Sequence, residues 1–220
     1  RIADKSLLPE DRWGVENDLF ALVKTGAVPL DAYLAFLDRY RSEDAFLPLS
    51  SIADHLYYLH VILRPEDEAR ARVLSFGKSL VERVLQDIGY TPAAGEPHPV
   101  SLLRDRLLWH AVVYGASGAA SFAREAFERL MSGERLHPDI QKSVLQAGAW
   151  IENEDAYGRL VEKFSTAESE HDRINILTAL GCFRNEAVME KSLRFTLDAV
   201  PDRNKFIPIV SAAAAPHAGP

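Results

Sequence analysis

Seven histidines, one cysteine and 32 acidic side chains are the groups from which this 220-residue chain would have to build a catalytic site. The histidines are His55, His60, His98, His110, His137, His171 and His217. None stands in a His-Glu-x-x-His pattern, which puts two zinc ligands on one helix face a turn apart. His55 and His60 are five apart and fall on different faces of a helix, so capping or surface roles are expected for them. Gly115-Ala116-Ser117-Gly118 has the start of a nucleophile elbow, but Ala119 occupies the place of the second glycine and no strand precedes it. A turn between helices is the expectation there. Cys182 follows Gly181 at a helix end with no histidine nearby in sequence. It reads as a buried or capping thiol, because a nucleophilic cysteine needs a base or a cation to hold it as thiolate. The runs Glu152, Glu154, Asp155 and Glu168, Glu170, Asp172 offer carboxylates for acid–base work. They also sit where helices begin, and acids there stabilise the dipole, which is the expected role. Arg203 and Lys205 open the last helix, where recognition of a carboxylate is the functional reading and surface charge the ordinary one.

The elements that would position these groups are helices. Pro9-Glu10-Asp11 opens the first, and Gly26 closes it. A second covers about 30–40. Pro48 opens a third through Ile62, and Pro65-Glu66-Asp67 a fourth that stops at Gly89. Further helices are expected near 101–115, 119–131, 138–151, 154–164, 169–181, 185–199 and 203–214, with Asn185 as a cap. Sustained alternation and Asn-Gly or Asp-Gly hairpin turns are missing. Short turns between helices imply antiparallel hairpins, and pairs starting near 101, 138 and 169 recur at a helical-repeat spacing. The fold class is therefore all-α, a curved superhelical array of antiparallel helix pairs with a concave face. The segment 90–99, with three prolines and a glycine, is a candidate internal boundary between a helical cap, 1–89, and helix-pair repeats, 100–220.

Composition narrows function by exclusion. A chain of this length buries roughly three quarters of its unfolded surface and folds without staples. At 47% hydrophobic and 26% charged it is an ordinary globular composition, not a disordered one. A net charge of −7 argues against a nucleic-acid partner, which needs clustered cations. No apolar run reaches the ~20 residues of a membrane span, so no membrane partner is expected. A single cysteine allows no internal disulfide and fits a reducing, cytoplasmic compartment. No basic-then-apolar leader opens the chain, and both ends read as cuts in a longer polypeptide.

Arg12-Trp-Gly-Val-Glu-Asn-Asp-Leu-Phe-Ala-Leu-Val-Lys-Thr-Gly26 resembles the opening of the C-terminal helical domain of aminopeptidase N-type zinc metallopeptidases. Asn17, Asp18, Phe20, Ala21, Leu22 and Gly26 fit that pattern, while Glu16 stands where the family carries an aliphatic residue. Glu43 to Leu49 is similar to the family's Glu-x-x-Tyr-x-Pro-Trp, with Phe46 and Leu49 as substitutes. Leu102-Leu103-Arg104 through Gly115 and Ile176 through Leu197 match family helices. Ala213 to Gly219 resembles Ala-Asn-Pro-x-Gly. Nearest are the tricorn-interacting aminopeptidases.

The resemblance implies a single C-terminal domain, 1–220, of HEAT- or armadillo-like pairs. It would be non-catalytic and hold no cofactor, with zinc in the preceding catalytic domain of the same polypeptide. It would enclose the active-site cavity, limit which peptides enter, and move between open and closed states, its acidic concave surface selecting substrates. Family members carry Gln-Asp or Gln-Glu near the active-site mouth; here that position reads Asn204-Lys205, which with Arg203 makes the candidate substrate-access residues. The alternatives are a free-standing HEAT-like scaffold that binds a protein on its concave face, and a self-contained helical enzyme.

Overall fold

A computed structural model describes residues 1–216. Its elements follow the punctuation of the chain. Pro9 sets φ at the first turn of α1 (Pro9–Lys24), Glu10 and Asp11 face the dipole's positive end, and Gly26 turns the chain at φ +76°. Then come α2 (Leu30–Leu37), extended by a 3-10 turn at Asp38–Tyr40, α3 (Phe46–Ile62) and α4 (Glu68–Ile88). Gly89, at φ +71°, stops α4. The second run is α5 (His98–Val113), α6 (Ser117–Met131), α7 (Pro138–Glu152), α8 (Glu154–Thr166), α9 (Glu170–Leu180), α10 (Glu186–Ala199) and α11 (Phe206–Ala213). No strand occurs among the described residues. Each of the eleven expected helices is present.

The boundaries differ in instructive ways. α3 starts at Phe46, because Pro48 sits within the first turn, where its missing N–H has no helical partner to lose. α5 starts at His98 with Pro99 second. The last expected helix is broken: Asp202–Asn204 is a separate 3-10 turn and α11 begins at Phe206. Asn185 caps α10 as expected, its side chain accepting from the Val188 N–H at 3.2 Å.

The helices form two layers. α3, α5, α7, α9 and α11 pack in succession as an inner row, and α6, α8 and α10 pack outside them. Pattern explains placement. α8 and α10 bury one stripe, Ala156 and Leu160 in the first and Val188, Met189, Ser192 and Thr196 in the second. α5 is buried nearly all round, from Leu103 through Val113, because it has helices on both sides and over its back. One apolar core runs without a break from Phe20 to Val200. Two successive turns are tied directly: Asn153, held at φ +48°, accepts the Arg184 and Asn185 N–H groups at 3.0 and 2.9 Å. The row curls back on itself. Arg70 of α4 donates to the His60 carbonyl at 2.9 Å and to the Pro216 carbonyl at 3.3 Å, joining the last described residue to the third and fourth helices.

The segment 89–97 is braced. Buried Arg104 donates to the carbonyls of Ile88 and Gly89 at 2.8 and 2.9 Å and makes a two-pronged pair with Glu96. One cation thus satisfies the orphan carbonyls at the end of α4 and fixes the approach to α5.

Close approach sets the layer spacing. A Cβ on Gly148 of α7 would fall inside the Phe127 ring of α6, whereas exposed Gly158 of α8 has nothing within 4 Å. Gly148→Ala is expected to cost about 1–3 kcal/mol by overpacking. Gly158→Ala is expected to stabilise by about 0.5–1 kcal/mol through helix propensity. Urea unfolding of both variants checks the pair; equal effects would contradict the layer contact.

Candidate functional site

The inner row presents a groove of about 390 Å³. Asp105, Arg106 and Trp109 of α5, Lys142 and Gln146 of α7, and Thr178 of α9 line one side. Phe206, Val210 and Ser211 of α11 line the other. The inner helices converge beneath it on a chain of polar contacts. The Trp109 indole N–H donates to the Tyr57 hydroxyl at 3.1 Å. The Gln146 amide meets the Cys182 sulfur at 3.5 Å, that sulfur lies 3.3 Å from the Ser211 hydroxyl, and Ser211 donates to the Thr178 carbonyl at 2.7 Å.

Charges in the groove are balanced. Arg106 lies 3.0 Å from Asp54 and Lys142 2.7 Å from Asp105. Burial raises the Asp54 carboxyl above its ordinary range, and Arg106 opposes the rise. The expectation of an acidic concave surface is therefore corrected here to a mixed, paired one. What the groove does expose is apolar: Phe206 and Val210 keep 61% and 60% of their surface. The groove offers contact area and orienting ion pairs, and no group in it is poised as a nucleophile.

The residues singled out in the sequence are scattered. Cys182 is buried, and burial pushes its thiol up to about 11 although the Ser211 and Gln146 contacts oppose the rise, the opposite of an activated thiolate. Ser117 opens α6 after Gly115, at φ +74°, turns the chain; this is the expected turn between helices. Glu152 pairs with Arg124 at 2.7 Å and Glu154 with Lys191 at 2.6 Å. Glu170 and Asp172 occupy the first turn of α9, capped by Ser169. Glu154, Asp155, Glu170 and Asp172 are helix starts as read, whereas Glu152 ends α7 and serves there as the partner of Arg124.

Arg203, Asn204 and Lys205 lie together before α11 and outside the lining of the groove. The buried Asn204 amide donates to Glu170 at 3.1 Å, and the Arg203 guanidinium lies 3.6 Å from the same carboxylate. Lys205 pairs with Asp202 at 2.8 Å. The matched stretch Ala213 to Gly219 ends outside the described residues, as does His217.

His55 and His60 are not surface or capping residues. His55 stacks on Phe20 with ring centres 3.8 Å apart, and its Nδ1 lies 2.8 Å from Glu16. Glu16, the position where the family pattern is broken, is fully buried and also accepts from Tyr33 at 2.5 Å and Ser51 at 2.8 Å. The substitution of an acid for an aliphatic residue is thus accompanied by three donors from α2 and α3. Its neighbour Arg12 makes a buried two-pronged pair with Glu43 at 2.6 and 2.7 Å. Neither cluster opens onto the groove lining. Sequence spacing alone missed Trp109, Phe206 and Val210; the dense apolar run of the last helix was the available signal.

The fold and groove define a class: a helix-pair array whose inner face presents contact surface, with its buried polar groups committed to structure. Comparison with known proteins narrows this. The model of the ERAP1-like C-terminal domain matches residues 1–219, so the chain belongs to that family. It is similar to aminopeptidase 2 of Candida albicans, 23% identical over 91% of this chain and 22% of that protein. It is similar to the alanine/arginine aminopeptidase of Saccharomyces cerevisiae, 26% identical over 91% of this chain and 24% of that one. A probable aminopeptidase 2 of Sulfurisphaera tokodaii is 22% identical over 85% and 22%. The chain spans about a quarter of the length of these relatives. No helix among the described residues is long and apolar enough to cross a membrane.

Two buried histidines give a pH test. Burial lowers His60 from 6.5 to about 4, helped by Arg70, and His110 from 6.5 to about 3, helped by Arg106 and Lys142. The Nδ1 atoms of both find no partner among the described residues. The unfolded chain then binds protons that the folded chain refuses. Their contribution is whole above about pH 6.5 and is lost as pH falls toward 4. At about 1.4 kcal/mol per pKa unit, His60 alone accounts for about 3 kcal/mol. Unfolding free energy measured from pH 7 to 4 should fall by at least that, and His60→Phe should flatten the slope; a flat profile in the parent chain would contradict the burial.

Proposed function

We propose that this chain is the non-catalytic C-terminal domain of a zinc aminopeptidase that removes N-terminal residues from peptides. In this reading it encloses the active-site cavity and limits access to it. The observation that carries the reading is the match of nearly the whole chain to a family known by its C-terminal position, together with an inner face that offers a groove and no reacting group. The named activities of the relatives support the enzyme class. Closure over a catalytic domain would exclude water and fix the substrate, which suits a surface of paired charges and exposed Phe206 and Val210.

The donor set does not fit a zinc site. No three His, Cys, Asp or Glu side chains among the described residues are grouped to hold a metal. His55 is committed to Glu16, and His60 and His110 are enclosed by aromatic rings. Zinc, its ligands and the general base belong, in this proposal, to the preceding catalytic domain, which is also the domain's first partner; peptides are the second. Nucleic acid and membrane are not among its partners. Residues 1–220 act as one domain, in a cytoplasmic enzyme, supported by one core and a lone buried cysteine. Arg203, Asn204 and Lys205 are proposed to stand at the mouth, where Lys205 would meet peptide carboxylates.

Two observations test this. The encoding reading frame should carry His-Glu-x-x-His upstream followed by a distant glutamate; its absence favours a free-standing scaffold. In the full-length enzyme, Lys205→Glu and Phe206→Ser should change kcat/KM for peptides about three- to tenfold while leaving a single-residue aminoacyl reporter within twofold. Unchanged constants on both substrates would sink the access role.

A further inference from the structure

The first four helices leave a cleft that the proposed function does not use. α4 packs along α3 but meets α2 only lightly, and a space of about 240 Å³ lies among the three. Leu37 of α2, Ile52 of α3 and Leu80 of α4 line it, all buried, together with half-buried Phe76. Tyr40 adds an apolar ring, because its hydroxyl is committed to the Arg12 carbonyl at 2.6 Å. The polar groups at the cleft are two arginines, Arg41 and Arg83, and the exposed Ser79.

The charge of these walls runs against the rest of the molecule. The chain has a net charge of −7, and the walls of four other clefts include Asp172, Asp105, Glu82 and Asp44 in turn. The walls of this one hold two guanidiniums and no carboxylate. Outside the walls, Arg41 donates to Asp38 at 2.8 and 3.0 Å, and Arg83 lies 3.8 Å from Asp87. Both pairs are exposed neighbours along the chain, and such pairs contribute little. Nη1 of Arg41 and Nε of Arg83 have no hydrogen-bond partner among the described residues.

Guanidinium matches a planar carboxylate better than it matches any other small group a metabolite carries, save phosphate. The apolar walls ask for an apolar body behind that head. Sites for drug-sized ligands span roughly 300–1,000 Å³, so this smaller cleft takes one short chain. A peptide terminus would bring an amide N–H among walls whose free acceptor is the Ser79 hydroxyl, and a buried N–H without an acceptor is costly. A free acid brings no such group. We infer that the cleft between α2 and α4 is a binding site for a short-chain amphipathic monocarboxylate, its chain on Leu37, Ile52, Phe76 and Leu80 and its carboxylate at Arg41 and Arg83. The inference does not depend on the enzymatic reading.

Ligand-detected NMR titration of the full-length protein with butyrate, hexanoate and octanoate tests the site. Octanoate is expected to bind with a Kd at or below about 1 mM, and each methylene to tighten binding about threefold. Octanol, which lacks the charge, should bind at least fivefold more weakly than octanoate. Two variants at exposed positions assign the binding to this cleft: Arg41→Gln should weaken octanoate at least threefold and leave octanol unchanged, and Ser79→Trp, which fills the mouth, should abolish both. Thermal unfolding midpoints within 2 °C of the parent show that the variants are folded; if Ser79→Trp fails that check, Ser79→Phe takes its place. Octanoate binding no tighter than butyrate, or unaltered by closing the mouth, overturns the site. Octanol binding as tightly as octanoate overturns the carboxylate, and N-acetyl-leucine binding more tightly than hexanoate overturns the free acid in favour of a peptide terminus.

Discussion

The array depends on how closely the inner helices approach one another. Gly181 at the end of α9 lies against the backbone of α11 at Pro208 and Ala212, where any Cβ would collide with main chain. Between layers, Gly148 of α7 admits the Phe127 ring of α6, and Gly77 of α4 admits Tyr114 at the end of α5. Along the inner row Tyr57, Trp109, Gln146, Cys182 and Ser211 come within hydrogen-bonding range of their neighbours. Polar groups held between close-packed helices have few partners beyond each other, so approach and polar matching act together. The groove is its outer consequence. Where the inner helices meet, their remaining side chains form the lining, and α11 supplies exposed apolar residues because nothing further packs on it among the described residues.

Charge is handled differently in the two halves. The first three helices are joined by buried ions: Arg12 with Glu43, and Glu16 with Tyr33, Ser51 and His55. Removing one partner there would strand a charge, which costs far more than the pair contributes. The repeats are joined by surface pairs such as Arg159 with Glu128 and Lys191 with Glu154, which guide register and add little energy. The first helices are thus tied by buried ions and the repeats by exposed pairs.

Much of the fold was legible because helix ends are written locally. Pro9, Gly26, Gly89, Gly115, Pro138 and Asn185 each mark a boundary through their own backbone or capping chemistry. The break before α11 was not legible, since Asp202 to Asn204 is polar and helical in either geometry. The site was less legible than the fold. Nothing local distinguishes Glu16 from a surface acid; its three donors come from residues 17 to 39 positions away. His60 and His110 gave the same difficulty, because their burial is created by α3 and α5 crossing. Arg203 to Lys205 were legible as a charged cluster, but their engagement with Glu170 and Asp202 depends on where α9 begins.

The central claim is that this domain shapes access and that the chemistry lies elsewhere in its polypeptide. Zinc content and aminoacyl-reporter hydrolysis, measured side by side on purified residues 1–220 and on the full-length protein, address it most directly. The account predicts no stoichiometric zinc and no hydrolysis for residues 1–220, and one zinc with hydrolysis for the full-length protein. Stoichiometric zinc and turnover in residues 1–220 alone would contradict it.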